Sequence, residues 1–414
     1  MRRRKFLAVG SAAALGTGMA WWFARSGSAQ RDGLQRGPKG IVDLPPGFSY
    51  RILERAGGPM DDGMRVPARA DGMACFTDAQ GRWVLMRNHE ISRGKAAHGP
   101  YPPGAQPAPE AYHPDGYGGV SRLVVDPVSG QRVSSNLVLV GTARNCAGGT
   151  SPWGWLSCEE SQLPGHGYVF LCDPEATQVA KPQPIRAYGQ FNHEAVAIDP
   201  KTRAAYLTED QPDGCLYRFL PSDAKRPFEG KLQALAIPGK PRFDTGSSLR
   251  PGDTLPIQWL DLPDRKPDDR VPLRAYALSA GAAVVRRGEG IWWGGRECYL
   301  TATVGGPLYS GQVFQLKPDH NQLTLVAQSH NPATLSMPDN LTVTPWGELL
   351  LCEDGMGVDH LRLVGMDGSI RAFARNATGE SEFAGVCFSP DGSTLFVNIQ
   401  EVGLTLSIRG PWPA

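Results

Sequence analysis

Several strand-like apolar runs of the sequence end in carboxylates. These are the runs that finish at Asn88-His89-Glu90, Cys158-Glu159-Glu160, Thr208-Glu209-Asp210 and Cys352-Glu353-Asp354. Two further acidic sites, His193-Glu194 and Pro338-Asp339-Asn340, come directly before apolar runs. Carboxylates gathered in one place repel one another, and their burial without partners is costly. A shared cation relieves both costs, and hard oxygen ligands of this kind suit Ca²⁺ or Mg²⁺.

Cys146 differs in setting from most of the eight cysteines of the chain. It lies in the glycine-rich segment 144–149, where a side chain is free to point at a ligand, whereas most of the others lie in apolar runs typical of small buried hydrophobes. The even number of cysteines also permits disulfides in an exported protein. One thiolate among oxygen ligands suits a transition metal such as iron. Any one acidic pair is more typical of a solvated turn, but the set together with Cys146 favours a metal site.

A third candidate for chemistry is the segment Arg286-Arg287-Gly288-Glu289. Residues two apart in an extended segment point to the same side, so Arg287 and Glu289 face one space. There Glu289 could hold a metal while the planar fork of Arg287 binds an anion such as a substrate phosphate. The alternative interpretation is that Arg287 and Glu289 form a surface ion pair.

The elements that must position these residues are β-strands. The chain of 414 residues contains 50 glycines and 36 prolines, and this abundance of turn formers argues against a helical bundle. Short strand-like runs recur between Asp-Pro, Pro-Asp-Gly and glycine-rich turns, which is typical of a sandwich, barrel or propeller. The length after a leader would make about six or seven propeller blades of roughly 55–65 residues. We therefore predict an all-β propeller, with residues 93–117 and 220–272 as inter-blade insertions or lids.

The first 29 residues indicate export, and the charge of the rest of the chain bears on its partners. Residues 1–29 contain Arg3-Arg4-Lys5-Phe6-Leu7, a weakly apolar stretch and Gly27-Ser28-Ala29, which together predict a twin-arginine signal peptide. An uncleaved membrane anchor is the alternative. Without this segment the net charge is 37 − 41 = −4, so the prediction is no nucleic-acid partner. We expect residues 30–414 to form a single domain, a monomer with no stable membrane span after cleavage.

Other catalytic motifs are weak or missing in this sequence. His89-Glu90 and His193-Glu194 lack the second histidine of a zinc-protease motif, and there is no phosphate-binding Gly-x-x-x-x-Gly-Lys-Ser/Thr segment. The segment around Ser279 resembles a nucleophile elbow but lacks its first glycine. A Ser-His-Asp hydrolase is therefore disfavoured.

The same motifs resemble those of the secreted PhoX-type alkaline phosphatases. The most specific are Asn145-Cys-Ala-Gly-Gly149 followed by Cys158-Glu-Glu160, and Phe396-Val-Asn-Ile-Gln400 near the end of the chain. The resemblance runs from about residue 43 to the C-terminus. It implies a six-bladed propeller, twin-arginine export to the periplasm or outside, and a cluster of Fe³⁺ and Ca²⁺ in the channel that hydrolyses small phosphate esters.

The resemblance also implies roles for individual residues. Cys146 matches an iron-binding thiolate and Arg287 a phosphate-binding arginine, and both are predicted to be catalytic. The predicted metal ligands are Cys146, Glu194, Glu289, Glu90, Glu159, Glu160, Glu209, Asp210 and Glu382. Arg375 is a candidate for a second phosphate-binding arginine. The segment after Gln400, Glu401-Val402-Gly403, departs from the His-Pro-Gly often found there.

The function predicted from the sequence is that of an exported metal-dependent phosphoesterase, whose partners are its ester substrate and the twin-arginine export machinery. Two alternatives belong to other classes. One is a metal-stabilised propeller that binds a ligand or protein in the cell envelope without turnover. The other is an oxidoreductase that uses the iron–thiolate site, which is disfavoured because the sequence has no dinucleotide-binding fingerprint.

Overall fold

The strands of this chain form six separate antiparallel sheets. The structure is a computed structural model that describes residues 33–263 and 271–413. The predicted signal peptide, residues 1–29, lies outside the described residues. Within them, the helical elements are one short helix, α1 (Leu273–Ser279), and 3-10 turns at Pro38–Gly40, Ala96–His98, Arg186–Tyr188 and Pro318–His320. No helix in this described part is long and apolar enough to cross a membrane.

The six sheets follow one another along the chain as blades of a propeller. Two strands precede blade 1: β1 (Val42–Asp43) and β2 (Ser49–Arg55). Blade 1 contains β3 (Ala70–Thr77), β4 (Trp83–His89), β5 (Gly118–Val125) and β6 (Arg132–Thr142). Blade 2 contains β7 (Asn145–Ser151), β8 (Gly154–Glu159) and β9 (Val169–Cys172). Blade 3 contains β10 (His193–Ile198), β11 (Ala205–Glu209), β12 (Tyr217–Pro221), β13 (Gly230–Ala236) and β15 (Gln258–Asp261).

The second half of the chain forms the other three blades. Blade 4 contains β14 (Thr254–Pro256), β16 (Gly288–Trp293), β17 (Cys298–Ala302), β18 (Gln312–Lys317) and β19 (Gln322–Gln328). Blade 5 contains β20 (Pro338–Val343), β21 (Leu349–Glu353), β22 (His360–Val364), β23 (Ile370–Asn376) and also β1. Blade 6 contains β24 (Phe383–Phe388), β25 (Leu395–Ile399), β26 (Leu404–Arg409) and also β2. The predicted all-β, six-bladed propeller is therefore confirmed.

The innermost strands surround the propeller axis. They are β3, β7, β10, β16, β20 and β24, and each contacts the innermost strand of the next blade, with β24 returning to β3. The approach is so close that a Cβ on Gly149 would lie 1.7 Å from the carbonyl oxygen of Val196. Glycine at this position is thus required by the contact between β7 and β10.

Apolar layers between neighbouring blades hold the ring together. Leu216 and Leu235 of blade 3 pack in one cluster with Leu300 and Phe314 of blade 4. All four are buried, and complete burial of such side chains contributes about 1.5–3 kcal/mol each. Because both faces of a blade are covered, strands such as β10 are buried along their whole length, which explains the continuous apolar runs of the sequence.

The ring is closed by its first segment. β2 pairs antiparallel with β26, so the fourth strand of blade 6 comes from the N-terminal part of the described chain. β1 pairs in the same way with β23 at the edge of blade 5.

The two predicted insertions correspond only in part to irregular structure. Residues 93–117 lie between β4 and β5, inside blade 1 and not between blades. Residues 220–272 include β13, the regular fourth strand of blade 3, as well as β14 and β15, which extend the edges of two blades. Interpreting the whole of 220–272 as an insertion was therefore wrong, because the Pro, Gly, Asp and Lys residues around these short strands obscured them.

Candidate metal centre

Each innermost strand begins with the same irregularity in its pairing to the second strand. In blade 1 the register shifts between Ala70 and Met73, in blade 3 between His193 and Val196, and the other four blades repeat this pattern. Such a bulge re-aims the side chains of the residues it contains. The second residues of the six strands, which we name the inner ring, are Asp71, Cys146, Glu194, Glu289, Asp339 and Ala384. In five of the six blades this position therefore carries a side chain that can bind a metal.

A second ring follows the second strand of each blade. The residues directly after β4, β8, β11, β17, β21 and β25 are Glu90, Glu160, Asp210, Thr303, Asp354 and Gln400. The backbone N–H of Glu90 donates to the carbonyl of Arg69, the residue before β3, at 2.9 Å. The same bond recurs in blades 2, 4, 5 and 6 at 2.9–3.1 Å. The backbone of the fold thus fixes the second ring beside the inner ring.

The two rings bring carboxylates from neighbouring blades together. Within the described residues, five groups of three side chains have ligand atoms within 4.8 Å of one another. They are Glu90–Cys146–Glu160, Asp71–Glu90–Glu382, Glu160–Glu194–Asp210, Glu194–Glu289–Asp339 and Asp339–Asp354–Glu382. Because adjacent groups share members, they form one continuous acidic cluster on the axis.

The electrostatics of this cluster call for a cation. Burial, followed by repulsion from the Glu289 and Asp339 carboxylates, raises the pKa of Glu194 well above its usual range. Its Oε2 atom is buried and accepts no hydrogen bond from the part of the chain that the structure describes. Burial and then the carboxylates of Glu194 and Glu160 likewise raise the pKa of the Cys146 thiol. A positive ion would satisfy the orphaned oxygen and lower both pKa values, so the donor set fits a metal.

Cys146 contributes the sulfur donor of the cluster. Its Sγ lies 3.4 Å from Glu160 Oε2 and 3.2 Å from the carbonyl oxygen of Arg144. Among the described residues all eight cysteines are free thiols, and seven of them are buried. Cys146 alone belongs to one of the potential ligand groups in the described ranges.

Arg287 lies beside the cluster, as its spacing from Glu289 predicts. Its guanidinium donates to both carboxylate oxygens of Asp210, at 2.6 and 3.1 Å, and to Glu289 Oε1 at 2.6 Å. The side chain is buried, and its backbone has φ = 49°, a left-handed conformation that is costly for a residue other than glycine. The fork of Arg287 is therefore held in a fixed orientation next to two potential metal ligands.

Glu159 and Glu209 are not brought into the cluster. Glu159 accepts hydrogen bonds from the backbone N–H groups of Ala143 and Gly167, at 2.7 and 2.6 Å, and its Oε1 lies 2.5 Å from Nδ1 of His166. Their prediction as metal ligands is corrected by this geometry, because consecutive residues of a strand point to opposite sides. In each acidic pair the first carboxylate faces into its own blade and the second faces the axis.

The Glu209 carboxylate, like that of Glu159, faces into its own blade. It accepts a hydrogen bond from the Tyr217 hydroxyl at 2.7 Å and lies 3.3 Å from the Arg274 guanidinium. Burial raises the pKa of Glu209 to about 7, an effect opposed by these two partners. Its carboxylate thus anchors the connection between β11 and β12.

Three acidic residues of the two rings were not among the predicted ligands: Asp71, Asp339 and Asp354. The motifs of Asp339 and Asp354 are visible in the sequence, but Asp71 has no apolar run directly before it. The available signal is the match of Ala70-Asp-Gly-Met73 with His193-Glu-Ala-Val196, two strand starts that occupy the same place in their blades. Arg375, the candidate second phosphate-binding arginine, lies instead on β23 and pairs with Asp43 at the outer edge of blade 5.

A cavity of about 390 Å³ opens above the cluster. Arg69, Lys95 and His98 of blade 1 line one side of this mouth, and Met356 and Asp359 of blade 5 contribute to the rest of its lining. Burial raises the pKa of the Asp359 carboxyl to about 9, assisted by Asp354. The mouth is large enough for a small organic molecule and leads to the second ring.

The fold and this site define a six-bladed β-propeller with a candidate metal centre on its axis. The sequence model of the family described as Alkaline phosphatase PhoX matches residues 30–403, so the chain belongs to this family. It is thus a phosphatase enzyme, and the predicted resemblance is confirmed. No protein in the curated collection matches the chain significantly.

Among solved structures, Pseudomonas fluorescens PhoX has a similar fold. Pseudomonas fluorescens PhoX in complex with vanadate, a transition-state analogue, is 21% identical and has a TM-score of 0.72 over 90% of this chain and 96% of that chain. A gluconolactonase from Xanthomonas campestris is 12% identical, with a TM-score of 0.45 over 91% of this chain and 99% of that chain. Virginiamycin B lyase from Staphylococcus aureus is 11% identical, with a TM-score of 0.40 over 87% of this chain and 99% of that chain.

Proposed function

We propose that this phosphatase is an exported enzyme that hydrolyses phosphate monoesters with iron and calcium ions held by the axial cluster. The observation that carries the proposal is the inner ring, in which five of six blades place a carboxylate or thiol at one structural position. Such a repeat has no explanation in folding, because gathered carboxylates destabilise a metal-free channel. It is explained by shared cations.

The donor chemistry divides the cluster into two parts. The group that contains Cys146 offers a thiolate beside the carboxylates of Glu90 and Glu160, and this mixed sulfur and oxygen donor set suits iron. The groups Asp71–Glu90–Glu382 and Asp339–Asp354–Glu382 offer oxygen only, which suits Ca²⁺. Glu194 and Glu289 belong to the groups between these two parts.

When bound, the ions would polarise the phosphoryl oxygens and neutralise the charge that develops on them. The chain itself supplies orientation. Arg287 offers a planar, permanently charged guanidinium, a group that suits the oxygens of a phosphate. Asp210 and Glu289 hold the guanidinium in place, so that little conformational freedom is lost when the substrate binds. The vanadate held by Pseudomonas fluorescens PhoX supports a phosphate-like ligand for this family.

The proposed compartment is the periplasm or the exterior of the cell. It is supported by the twin-arginine sequence within residues 1–29 and by the channel chemistry, because the twin-arginine route moves folded proteins that have taken up their cofactors beforehand. We propose that the mature domain begins near residue 30 and acts as a monomer.

The proposal is tested by assaying p-nitrophenyl phosphate hydrolysis by protein purified from its native compartment. We expect activity that chelation abolishes and that added Ca²⁺, but not added Mg²⁺, restores, with iron present by elemental analysis. Protein that contains metal but releases no p-nitrophenol would contradict the enzyme and favour a non-catalytic binding propeller. A reversible one-electron reduction at a physiological potential, with no phosphatase activity, would favour the oxidoreductase instead.

A further inference from the structure

The residue directly before the innermost strand is also repeated in all blades. This pre-strand position is occupied by Arg69, Arg144, Asn192, Arg287, Met337 and Glu382. Four of these residues, Arg69, Arg144, Arg287 and Met337, have left-handed backbones with φ between 49° and 58°. Such angles are unfavourable for side chains of this size, so the surrounding structure must impose them.

All four of these residues also take part in the backbone bonds described above. At the pre-strand position the carbonyl accepts the N–H of a second-ring residue, as between Arg69 and Glu90. The side chain is then directed toward the second ring of the preceding blade in several cases. Arg287 reaches Asp210, Asn192 reaches Glu160 at 3.4 Å, and Arg69 reaches Gln400 at 3.0 Å. Arg69 is thus the structural counterpart of the proposed phosphate-binding residue Arg287.

Arg69 differs from Arg287 in its exposure. The side chain of Arg287 is 8% exposed, whereas that of Arg69 is 32% exposed and lines the mouth. The partner of Arg69 is Glu401, with Nη1 3.0 Å from Oε1, and its side chain is 28% exposed. A partly exposed pair of this kind contributes little, so the guanidinium can bind a ligand anion at small cost.

Two more basic side chains lie on the same side of the mouth. Lys95 and His98 belong to the segment between β4 and β5, and the bond from the Ala68 N–H to the His98 carbonyl ties this segment to the residue before Arg69. Of the acidic residues that line the mouth, Glu90, Asp354 and Glu382 belong to the proposed metal groups, whereas Asp359, Glu380 and Glu401 do not. Glu401 also accepts a hydrogen bond from the Ser381 hydroxyl at 2.8 Å. The acidic residues outside the metal groups come from blades 5 and 6 and the connection between them, so bound cations would leave Arg69, Lys95 and His98 as a local excess of basic groups on the blade 1 side.

We propose that Arg69, assisted by Lys95, is a specificity-determining residue that binds a second anionic group on the alcohol part of the phosphate ester. The inference rests on the proposed function, since the scissile phosphate must sit at the axial cluster. Asp71, a member of that cluster, is only two residues from Arg69. A carboxylate or a second phosphate within the length of a small metabolite therefore reaches the guanidinium while the scissile phosphate lies on the axis.

The test compares matched substrates that differ in one anionic group. 3-Phosphoglycerate is compared with glycerol 3-phosphate for the carboxylate, and fructose 1,6-bisphosphate with fructose 6-phosphate for the second phosphate. We expect kcat/KM to be about fivefold to tenfold higher for the doubly anionic member, the size of one partly exposed charge-assisted hydrogen bond. The preference should fall as ionic strength rises.

Substitutions test whether Arg69 causes this preference for doubly anionic substrates. Arg69→Asn removes the charge with a residue that tolerates a left-handed backbone, and it should bring the ratio of the two kcat/KM values close to one. Lys95→Gln should lower the ratio by about half. The control is Lys201→Gln, which should leave the ratio unchanged, because Lys201 lies in the turn between β10 and β11, at the end of blade 3 away from the cluster. If Arg69→Asn does not fold, Lys95→Glu tests the proposal instead, because it should make the singly anionic substrate the preferred one.

The outcomes separate this inference from the proposed function. A ratio near one in the unsubstituted protein, with both substrates hydrolysed, would overturn the role of Arg69 and leave the phosphatase intact. A high ratio that survives Arg69→Asn and Lys95→Glu would overturn it as well. Failure to hydrolyse any of the four esters would contradict the proposed function itself.

Discussion

Glu194→Gln is expected to stabilise the metal-free protein, although it removes a predicted metal ligand. In the metal-free protein the Glu194 carboxylate is buried, its Oε2 is an orphaned acceptor, and it faces Glu289 and Asp339. Leaving a buried acceptor unsatisfied costs about 1 to 3 kcal/mol. A glutamine has the same shape, carries no charge and can donate from its amide to a neighbouring carboxylate. The free energy of unfolding should therefore rise by about 1 to 3 kcal/mol at pH 8.

The stability gain expected from Glu194→Gln depends on pH. Because the folded-state pKa of Glu194 lies above its unfolded value, folding favours the protonated acid. The stability associated with Glu194 is thus fully present below the unfolded pKa and is lost as the pH rises through the raised, folded-state pKa. Glutamine does not titrate, so the gain should be large at pH 8 and small at pH 4. Reloading with metal should reverse the sign, since the variant then lacks a ligand.

The assay is urea unfolding of chelated and reloaded protein, followed by tryptophan fluorescence. Glu353→Gln is the matched control, because Glu353 is equally buried but accepts hydrogen bonds from Arg362 at 2.9 Å and from the Ser336 N–H at 2.8 Å. Removal of this satisfied carboxylate should destabilise the metal-free protein by about 3 kcal/mol. An unchanged or lower urea midpoint for chelated Glu194→Gln would refute the reasoning that the cluster is strained without cations.

Three further expectations concern metal, substrate and export. Cys146→Ser should lose iron and activity while far-ultraviolet circular dichroism remains unchanged; retained iron by elemental analysis would contradict the ligand assignment. Arg287→Ala should raise KM or lower kcat for p-nitrophenyl phosphate with the metals still bound, whereas Arg286→Ala, which removes a partly exposed pair with an aspartate, should have little effect. Equal kinetics for the two variants would remove the proposed role. Replacing Arg3 and Arg4 by lysine should leave the precursor in the cytoplasm, and normal export in a fractionation experiment would exclude the twin-arginine route.

The sequence predicts the type of fold and the identity of most cluster residues. Continuous apolar runs that end in carboxylates indicate buried strands with acidic tips, and the Arg287–Glu289 spacing predicts the contact that the structure shows. The sequence does not reveal which member of an acidic pair faces the axis. That choice depends on the register in which each second strand pairs with the bulged innermost strand. The local sequence does not reveal this register. Asp71 was missed for a related reason, because Ala70-Asp-Gly has the composition of an ordinary turn.

Arg375 illustrates a further limit of sequence-based reasoning. A basic residue in a strand is compatible with the channel or with the rim, and only the strand order within blade 5 places β23 far from the axis, next to the edge strand β1. Likewise, β13 is a short strand within a stretch rich in Pro, Gly, Asp and Lys, and its pairing with β12 is what identifies it.

The closure of blade 6 has a consequence for biosynthesis. The pairing of β2 with β26 joins strands that leave the ribosome at the beginning and near the end of translation of the described chain. Such a distant pairing forms slowly and only after synthesis of the last blade. The mutual approach of Glu382 and Asp71 requires that same step. A truncated or incompletely translated chain is therefore expected to lack the full set of proposed ligands, so uptake of the proposed ions would report that the polypeptide is finished.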